Sequence, residues 1–472
     1  MQLKEFHGFQ ELLNALNGAI HHNTYIYHNV GIAVSGGADS IALLYTAYLL
    51  RKSMPIRIYA IHVEHGIRGQ SSINDANFVQ QLCKELDISL YIKHIEGLQD
   101  IATGLEEKAR KARYQVFQEA YKELSLDCIL LAHHLNDQCE TLLMNIARGT
   151  GIEGLCGIRQ RSVMHNMHFI RPFINISKLT ILQVLQQNDI SFCEDESNMD
   201  NTFIRNKIRN EILPILENGF PALQQSLLRL SAQATEDTAY FNVQVDRFIM
   251  NHAYIEFPFC CAKLDAMLAL PTAIASRVIK KMYQIALLHY QLEDNVNRLK
   301  NTIDYTAIQN VLHLLKQENF DTIELANGIF VSKEYKCLHF TKDKTHIATN
   351  LQECIDQKIC AYLNAFIFKI VNMPKGVSNG KLKQAVSKTI LDKAVWRFRE
   401  PGDMFMPFGM HGKMPLKKYF IDKKIDKSFR NVLPLLAIGK DVLWVSGVGA
   451  SELLRTNDTN GILEIQQILP WM

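Results

Sequence analysis

The 472-residue chain has no uninterrupted apolar run of about 18 residues, which excludes a helical membrane span. Its first residues, Met1-Gln2-Leu3-Lys4-Glu5-Phe6, lack a basic segment followed by an apolar one, so no export signal is expected and the protein is expected to stay in the cytoplasm. None of its ten cysteines, at 83, 128, 139, 156, 193, 260, 261, 337, 354 and 360, belongs to a Cys-x-x-Cys pair. That spacing offers no zinc, cluster or redox motif and leaves scattered reduced thiols as the expectation. Internal repeats, low-complexity tracts and Pro/Gly/Ser linkers are absent as well, so composition marks no domain boundary. Neither sign of charge dominates: a net charge of +3 means that any affinity for a polyanion must come from a local cluster.

What is present is the composition of a folded soluble protein. Hydrophobic residues make up 47% and charged residues 21%, far from the disordered and membrane classes. At roughly 150 residues per domain, the length suggests about three domains.

From Asn29 to about Phe173, short apolar runs alternate with segments of helical period, the pattern of a parallel sheet with crossover helices. Strands are expected at Val30–Val34, Arg57–Val63, Ser89–Lys93, Cys128–Ala132 and His168–Pro172, with helices near Asp39–Arg51, Ile73–Leu86, Leu105–Lys122 and Asn136–Arg148. The expected fold is α/β, with a doubly wound parallel-sheet domain over residues 1–215. From Ile204 to about Asn319 the apolar spacing is helical, giving a helical domain at 216–330. A hairpin is expected around Asn327-Gly328, in front of a connecting region at 331–395. Residues 396–472 read as a small mixed α+β domain.

The segment with the clearest chemistry is Ser35-Gly36-Gly37-Ala38-Asp39-Ser40, between a strand and a helix. Two glycines allow close backbone approach and positive φ, and the helix start supplies unpaired N–H groups and the positive end of a dipole. Ser35 and Ser40 add hydroxyls, and Asp39 beside a polyphosphate suits a Mg²⁺ ion. The lysine of a Walker A loop is missing. The loop resembles the PP-loop of the N-type ATP pyrophosphatases, which bind ATP and release pyrophosphate while adenylating a substrate oxygen.

Other segments cluster at expected strand ends, where open α/β sheets bind ligands. His62 and His65, in His62-Val63-Glu64-His65-Gly66, serve either loop hydrogen bonding or ATP contact. Arg110 and Arg113 share neighbouring strips of one helix with Glu107 and Tyr114, as either a binding face or a solvated charged one. In His133-His134-Leu135-Asn136-Asp137-Gln138-Cys139-Glu140, helical spacing puts His133, Asp137 and Glu140 on one side while Leu142, Leu143 and Ile146 face the core. Base, metal ligand and substrate clamp are all open to these groups. Arg148 and Gly149 begin a Gly-rich segment that reads as an ATP or substrate contact, or as a plain loop. Arg205, Lys207 and Arg209 alternate across a turn-to-helix junction, a phosphate-contact pattern that a solvated basic helix start also produces.

Taken together, and in this order and spacing over about residues 29–215, these segments are similar to the tRNA(Ile)-lysidine synthetase family. The similarity resumes at Arg397-Phe398-Arg399-Glu400-Pro401-Gly402-Asp403 and at Leu416-Lys417-Lys418-Tyr419-Phe420, which look like that family's C-terminal tRNA-binding module. Between 397 and 430, nine basic residues face four acidic ones, a balance suited to a phosphate backbone. Arg397, Arg399, Lys417, Lys418, Lys423 and Lys424 are the RNA-contact candidates.

The resemblance implies an enzyme that uses ATP and Mg²⁺ to join free L-lysine to the wobble cytidine of an isoleucine tRNA with a CAU anticodon. Cytidine O2 would attack the α-phosphorus of ATP and release pyrophosphate. The lysine ε-amine would then attack C2 and expel AMP, and decoding would change from AUG to AUA. Asp39 is assigned to Mg²⁺–ATP, Arg110, Arg113 and Arg205 to phosphate or cytidine, and Asp137 with Glu140 to lysine or metal. A PP-loop thiolase would want paired cysteines, and an amidotransferase synthetase a glutaminase signature; neither is found. A silent RNA-binding module would not need acids beside the loop. Oligomeric state is not encoded legibly, and a homodimer is left open.

Overall fold

The computed structural model describes residues 8–21, 27–64, 70–95, 105–193, 204–256, 259–290, 303–318, 321–342, 366–369, 383–431, 433–455 and 461–465. The chain divides into two compact units, Met1–Ala239 and Tyr240–Met472.

In the first unit, helix α1 (Gln10–Ile20) leads to β1 (Asn29–Ala33), α2 (Ala38–Leu50), β2 (Arg57–Glu64), α3 (Gln70–Glu85), β3 (Ser89–His94), α4 (Leu105–Glu123), β4 (Cys128–Leu130) and α5 (Leu135–Ala147). A short α6 (Ile152–Leu155), the strands β5 (Arg161–Met164) and β6 (Met167–Ile170), and α7 (Lys178–Gln187) follow. All five expected strands and four expected helices of this region are present within a few residues of their predicted ends. Strand β5 is not among those expected, because its largely half-exposed residues carry little apolar signal.

The sheet order is β3-β2-β1-β4-β6-β5, parallel throughout except for β5, which pairs antiparallel with β6 at the edge. Val30, Ile32, Cys128, Ile129 and Leu130 in the two central strands are all inaccessible to solvent, as expected of a parallel sheet covered on both faces. Between β1 and β4 the strand order reverses direction, which opens a crevice at their carboxyl ends. Helix α2 is apolar around most of its circumference because α1 and α7 pack beside it: Ile41, Ala42, Leu43, Leu44 and Ala47 have no exposed surface.

Beyond α7, α8 (Ile204–Lys207) runs through a π-helical turn at Ile208–Ile212 into α9 (Leu213–Gly219). Pro214 explains the wide turn, since proline cannot donate the helical hydrogen bond and its ring crowds the carbonyl four residues back. Leu135, Cys139 and Leu142 of α5 pack against Leu213 of α9 and Leu227 of α10 (Leu223–His252). That contact brings the α8 segment to the start of α5.

The second unit holds an antiparallel sheet in the order β7-β8-β11-β10-β9, made of β7 (Ala253–Glu256), β8 (Phe259–Lys263), β9 (Thr322–Glu324), β10 (Ile329–Lys333) and β11 (Cys337–Lys342). Helices α11 (Leu264–Leu268), α12 (Thr272–Tyr290) and α13 (Tyr305–Lys316) share a core with it, in which Met282, Tyr283, Val331 and Phe340 are fully buried. The expected hairpin is there, with Asn327 and Gly328 both at positive φ (61° and 69°). The unbroken helical stretch expected from Ile204 to Asn319 is corrected by β7 and β8, strands too short for a two-residue period to stand out among the helices around them.

Strands Val395–Arg397, Leu435–Ile438, Asp441–Val445, Met404–Phe405 and Met414–Pro415 form a further sheet, which packs with the helix Leu416–Asp422 around Phe405, Phe420, Phe429 and Trp444.

Candidate active site

The crevice at the switch point is a cleft of about 510 Å³ lined by Ser35, Gly37, Asp39 and Ser40 after β1, His62 and Glu64 of β2, Ser72 and Asp75 of α3, Arg113 of α4, and His133 and Asp137 after β4. The first unit thus brings one face of the Ser35–Ser40 loop together with the histidine–acid segment of α5.

Gly36 sits at φ +97°, a conformation that favours glycine, and turns the chain sharply out of β1. Ser40 Oγ donates to the Gly37 carbonyl at 2.9 Å and accepts from the Ser35 N–H at 3.2 Å, so the loop is closed by its own hydroxyl. No side chain caps α2 at Gly37. Its first N–H groups and the positive end of its dipole therefore face the cleft, which is the arrangement that holds an anion. Ala38 is buried at the first turn.

His62 is buried, and its Nδ1 lies 2.8 Å from the Val34 carbonyl. A carbonyl can only accept, so Nδ1 carries the proton and Nε2 is an acceptor. Burial holds this imidazole below its usual range, and the Val34 bond opposes that only in part. Glu64, at the end of the same strand, bonds His94 of β3. His65 lies outside the described residues.

Asp39 and Asp137 start neighbouring helices, and His134 Nε2 sits between them, 3.7 Å from Asp39 Oδ2 and 3.4 Å from Asp137 Oδ2. Lys178, the first residue of α7, reaches Asp39 Oδ1 at 2.7 Å. Asn136 fixes it there by accepting from the Lys178 backbone N–H at 3.1 Å. Asp137 Oδ2 accepts from the His134 N–H at 3.0 Å, closing the first turn of α5.

The remaining acid oxygens meet guanidinium groups. Asp137 Oδ1 accepts from Arg205 at 2.8 Å and from Arg209 at 3.3 Å. Glu140 Oε2 accepts from Arg205 Nε at 2.8 Å and Arg209 NH2 at 3.0 Å, while Oε1 accepts from Arg209 Nε at 2.6 Å. Two acids and two arginines thus form a neutral quartet that docks α8 and the π-helical turn onto α5. Burial works against the charge on Asp137, but His134 and Arg205 outweigh it and hold its carboxyl below the ordinary range. Burial pushes the His133 imidazole down to about 4, and its Nδ1 has no hydrogen-bond partner among the described residues.

This geometry reassigns several expectations. Glu140 is fully buried with both oxygens on arginine, so it offers no open face to a metal or a lysine ammonium. Arg205 is held by the acids at the site instead of standing alone as a phosphate contact. Arg148 and Gly149 lie at the far end of α5, about 17 Å along the helix from Asp137 at 1.5 Å per residue, and are exposed away from the cleft lining. Arg113 lines the cleft, whereas Arg110 is an exposed neighbour over the Tyr114 ring, 5.8 Å from its centroid. Lys178 was not singled out from sequence, and Arg209, expected as one of three alternating basic residues in a phosphate-contact pattern, is instead held on Glu140; only the fold brings the two to Asp39 and Glu140.

In the second unit, Arg397 pairs in a bidentate manner with Asp403 at 2.9 and 2.7 Å and donates to the Gly439 carbonyl, a structural role in place of the expected RNA contact. Arg399 leans on Asn431 at 3.4 Å. Lys417, Lys418, Lys423 and Lys424 are exposed on the helix Leu416–Asp422 and the turn after it, and none of the four has an ion-pair partner among the described residues. No helix among the described residues is long and apolar enough to cross a membrane.

Comparison with known proteins agrees with this layout. Residues 9–216 match the PP-loop domain, and residues 394–466 match the TilS substrate C-terminal domain. A tRNA(Ile)-lysidine synthase from Clostridium perfringens is 30% identical over 464 residues, covering 92% of this chain and 94% of that protein. One from Caldanaerobacter subterraneus subsp. tengcongensis is 30% identical over 449 residues, covering 92% of each. One from Geobacter sulfurreducens is 29% identical over 437 residues, covering 90% of each. With its ATP-type loop at the switch point, and with similarity that runs through both units, the chain belongs to the tRNA(Ile)-lysidine synthase family of ATP-dependent ligases.

Proposed function

We propose that the chain joins lysine to C2 of the wobble cytidine in an isoleucine tRNA bearing a CAU anticodon, consuming ATP and changing decoding from AUG to AUA. The observation that carries this reading is the meeting of the α2 and α5 N-termini, with Asp39 and Asp137, at one cleft.

In this reading ATP lies with its phosphates on the Ser35–Ser40 loop, where the first N–H groups of α2 and the Arg113 guanidinium balance their charge. Asp39 carries a hard carboxylate that already attracts a cation in the Lys178 ammonium, which fits it to hold Mg²⁺ together with phosphate oxygens. When bound there, Mg²⁺ would supply charge neutralisation for the departing pyrophosphate.

Cytidine O2 attacks the α-phosphorus and the bond to pyrophosphate breaks. Lysine gives up one ammonium proton to solvent, its amine attacks C2, and as the C2–O2 bond breaks and AMP departs with the oxygen the new C2–N nitrogen releases a second proton to solvent. Asp137, at the cleft wall, is the acid assigned to the lysine ammonium. Neutral His133 accepts a hydrogen bond beside it. Neither group stores a proton at neutral pH, so both suit holding the ammonium and not keeping what it sheds. Glu140 is assigned to positioning Arg205 and Arg209. Lys417, Lys418, Lys423 and Lys424 are assigned to the tRNA backbone.

Pyrophosphate release tests the reading. It should require the CAU-bearing isoleucine tRNA and should continue through multiple turnovers only with lysine present. Release that ignores tRNA would overturn it.

A further inference from the structure

A second constellation lies in the Tyr240–Met472 unit, apart from the ATP cleft. Antiparallel pairing sets Cys261 of β8 directly opposite His339 of β11, and Cys337, two residues before His339, projects from the same face. Asp426 reaches this face from the turn after the helix Leu416–Asp422. All four side chains are buried, with Cys261, Cys337 and His339 at 1–2% exposure and Asp426 at 0%.

The donor atoms of Cys337, His339 and Asp426 lie within 4.8 Å of one another. His339 Nε2 and Asp426 Oδ2 are 3.1 Å apart. Two ligands at zinc bond lengths of about 2.0–2.1 Å and a tetrahedral angle stand about 3.3 Å apart, so the pair already spans one edge of such a site. Cys261, opposite His339 on the neighbouring strand and hydrogen-bonded through its thiol to Cys337, is the nearest further sulfur donor to these three. Backbone N–H groups of Lys336 and Cys337 donate to the Asp426 carboxylate at 2.8 and 3.0 Å, the outer-shell support that orients metal ligands.

We propose that Cys337, His339 and Asp426, completed by Cys261, form a structural zinc site. Sulfur, imidazole and carboxylate donors together suit zinc over the hard cations, and a buried four-ligand site with no open position is structural, not catalytic. The ion clamps β8 and β11 to the segment that follows the helix carrying Lys417 and Lys418.

The test is metal analysis of the full-length protein, purified with zinc supplied and no chelator. About one zinc per chain is expected. Cys337→Ser should lower it at least tenfold. Cys260→Ser should leave it intact, because Cys260 points away from the cluster, towards the Met282 carbonyl. Cobalt added to the metal-free wild-type protein should give a thiolate-to-cobalt charge-transfer band, weakened in Cys261→Ser. That titration also decides the matter if Cys337→Ser fails to fold. A zinc-free wild-type chain with no cobalt band, or zinc retained by folded Cys337→Ser, would overturn the site and leave a hydrogen-bonded latch.

Discussion

Replacing Glu140 by glutamine removes one charge from the quartet while keeping its shape. Glu140 has no exposed surface and accepts three guanidinium bonds of 2.6, 2.8 and 3.0 Å. Breaking a buried ion pair from one side costs about 3–5 kcal/mol. Here the arginine side chains are 33% and 39% exposed, so water recovers part of that, and Asp137 still holds both. The expected loss is about 2–3 kcal/mol, concentrated on the docking of α8. Amide hydrogen exchange over residues 204–212 should therefore speed up by roughly 30- to 150-fold, with little change in the sheet. In a double-mutant cycle with Arg209→Gln, the two losses should fall short of additivity by about 1–2 kcal/mol. Unchanged exchange, or additivity within about 0.5 kcal/mol, would refute the claim that this pair fastens α8 to α5.

Acidification tests the buried His133. Its folded pKa of about 4 lies below the ordinary 6.5, so between those values the unfolded chain binds more protons and stability falls as pH falls, by up to about 3 kcal/mol. In denaturant titrations across that window, His133→Gln should flatten the slope; an equal slope would contradict the assignment. Charge reversal at Lys417 and Lys418 should weaken tRNA binding and lower the salt dependence of log Kd by up to about 0.9 per lost phosphate contact, measured by filter binding. Arg397→Ala leaves the buried Asp403 unpaired and should destabilise the C-terminal fold by about 3–5 kcal/mol in thermal unfolding, with Arg397→Lys in between because lysine cannot reproduce the bidentate pair. A stable Arg397→Ala variant with impaired RNA binding would restore the surface role.

The Ser35–Ser40 loop and the α5 start were legible in the sequence because strand, glycine turn and helix are local patterns, and their strand-end position follows from the α/β alternation. Partners that depend on tertiary contact were not. Lys178 meets Asp39 across 139 residues and Arg209 meets Glu140 across 69. No period or spacing encodes such pairs. Glu140 looked available because helical spacing places it on the side of Asp137, whereas its cover by Arg205 and Arg209 comes from residues 65 and 69 positions away. Arg397 read as part of a basic cluster, although Asp403 six residues on was its partner. Scattered cysteines gave no metal motif, yet Cys261 and Cys337 meet through strand pairing, a relation that linear spacing cannot show.

The most direct test of the central claim is ATP-dependent incorporation of labelled lysine into unmodified isoleucine tRNA bearing CAU, with a CAU-bearing methionine tRNA as control. One AMP and one pyrophosphate should appear per lysine incorporated into the isoleucine tRNA, with none on the control. Pyrophosphate release without lysine in the tRNA, or equal labelling of both tRNAs, would contradict it.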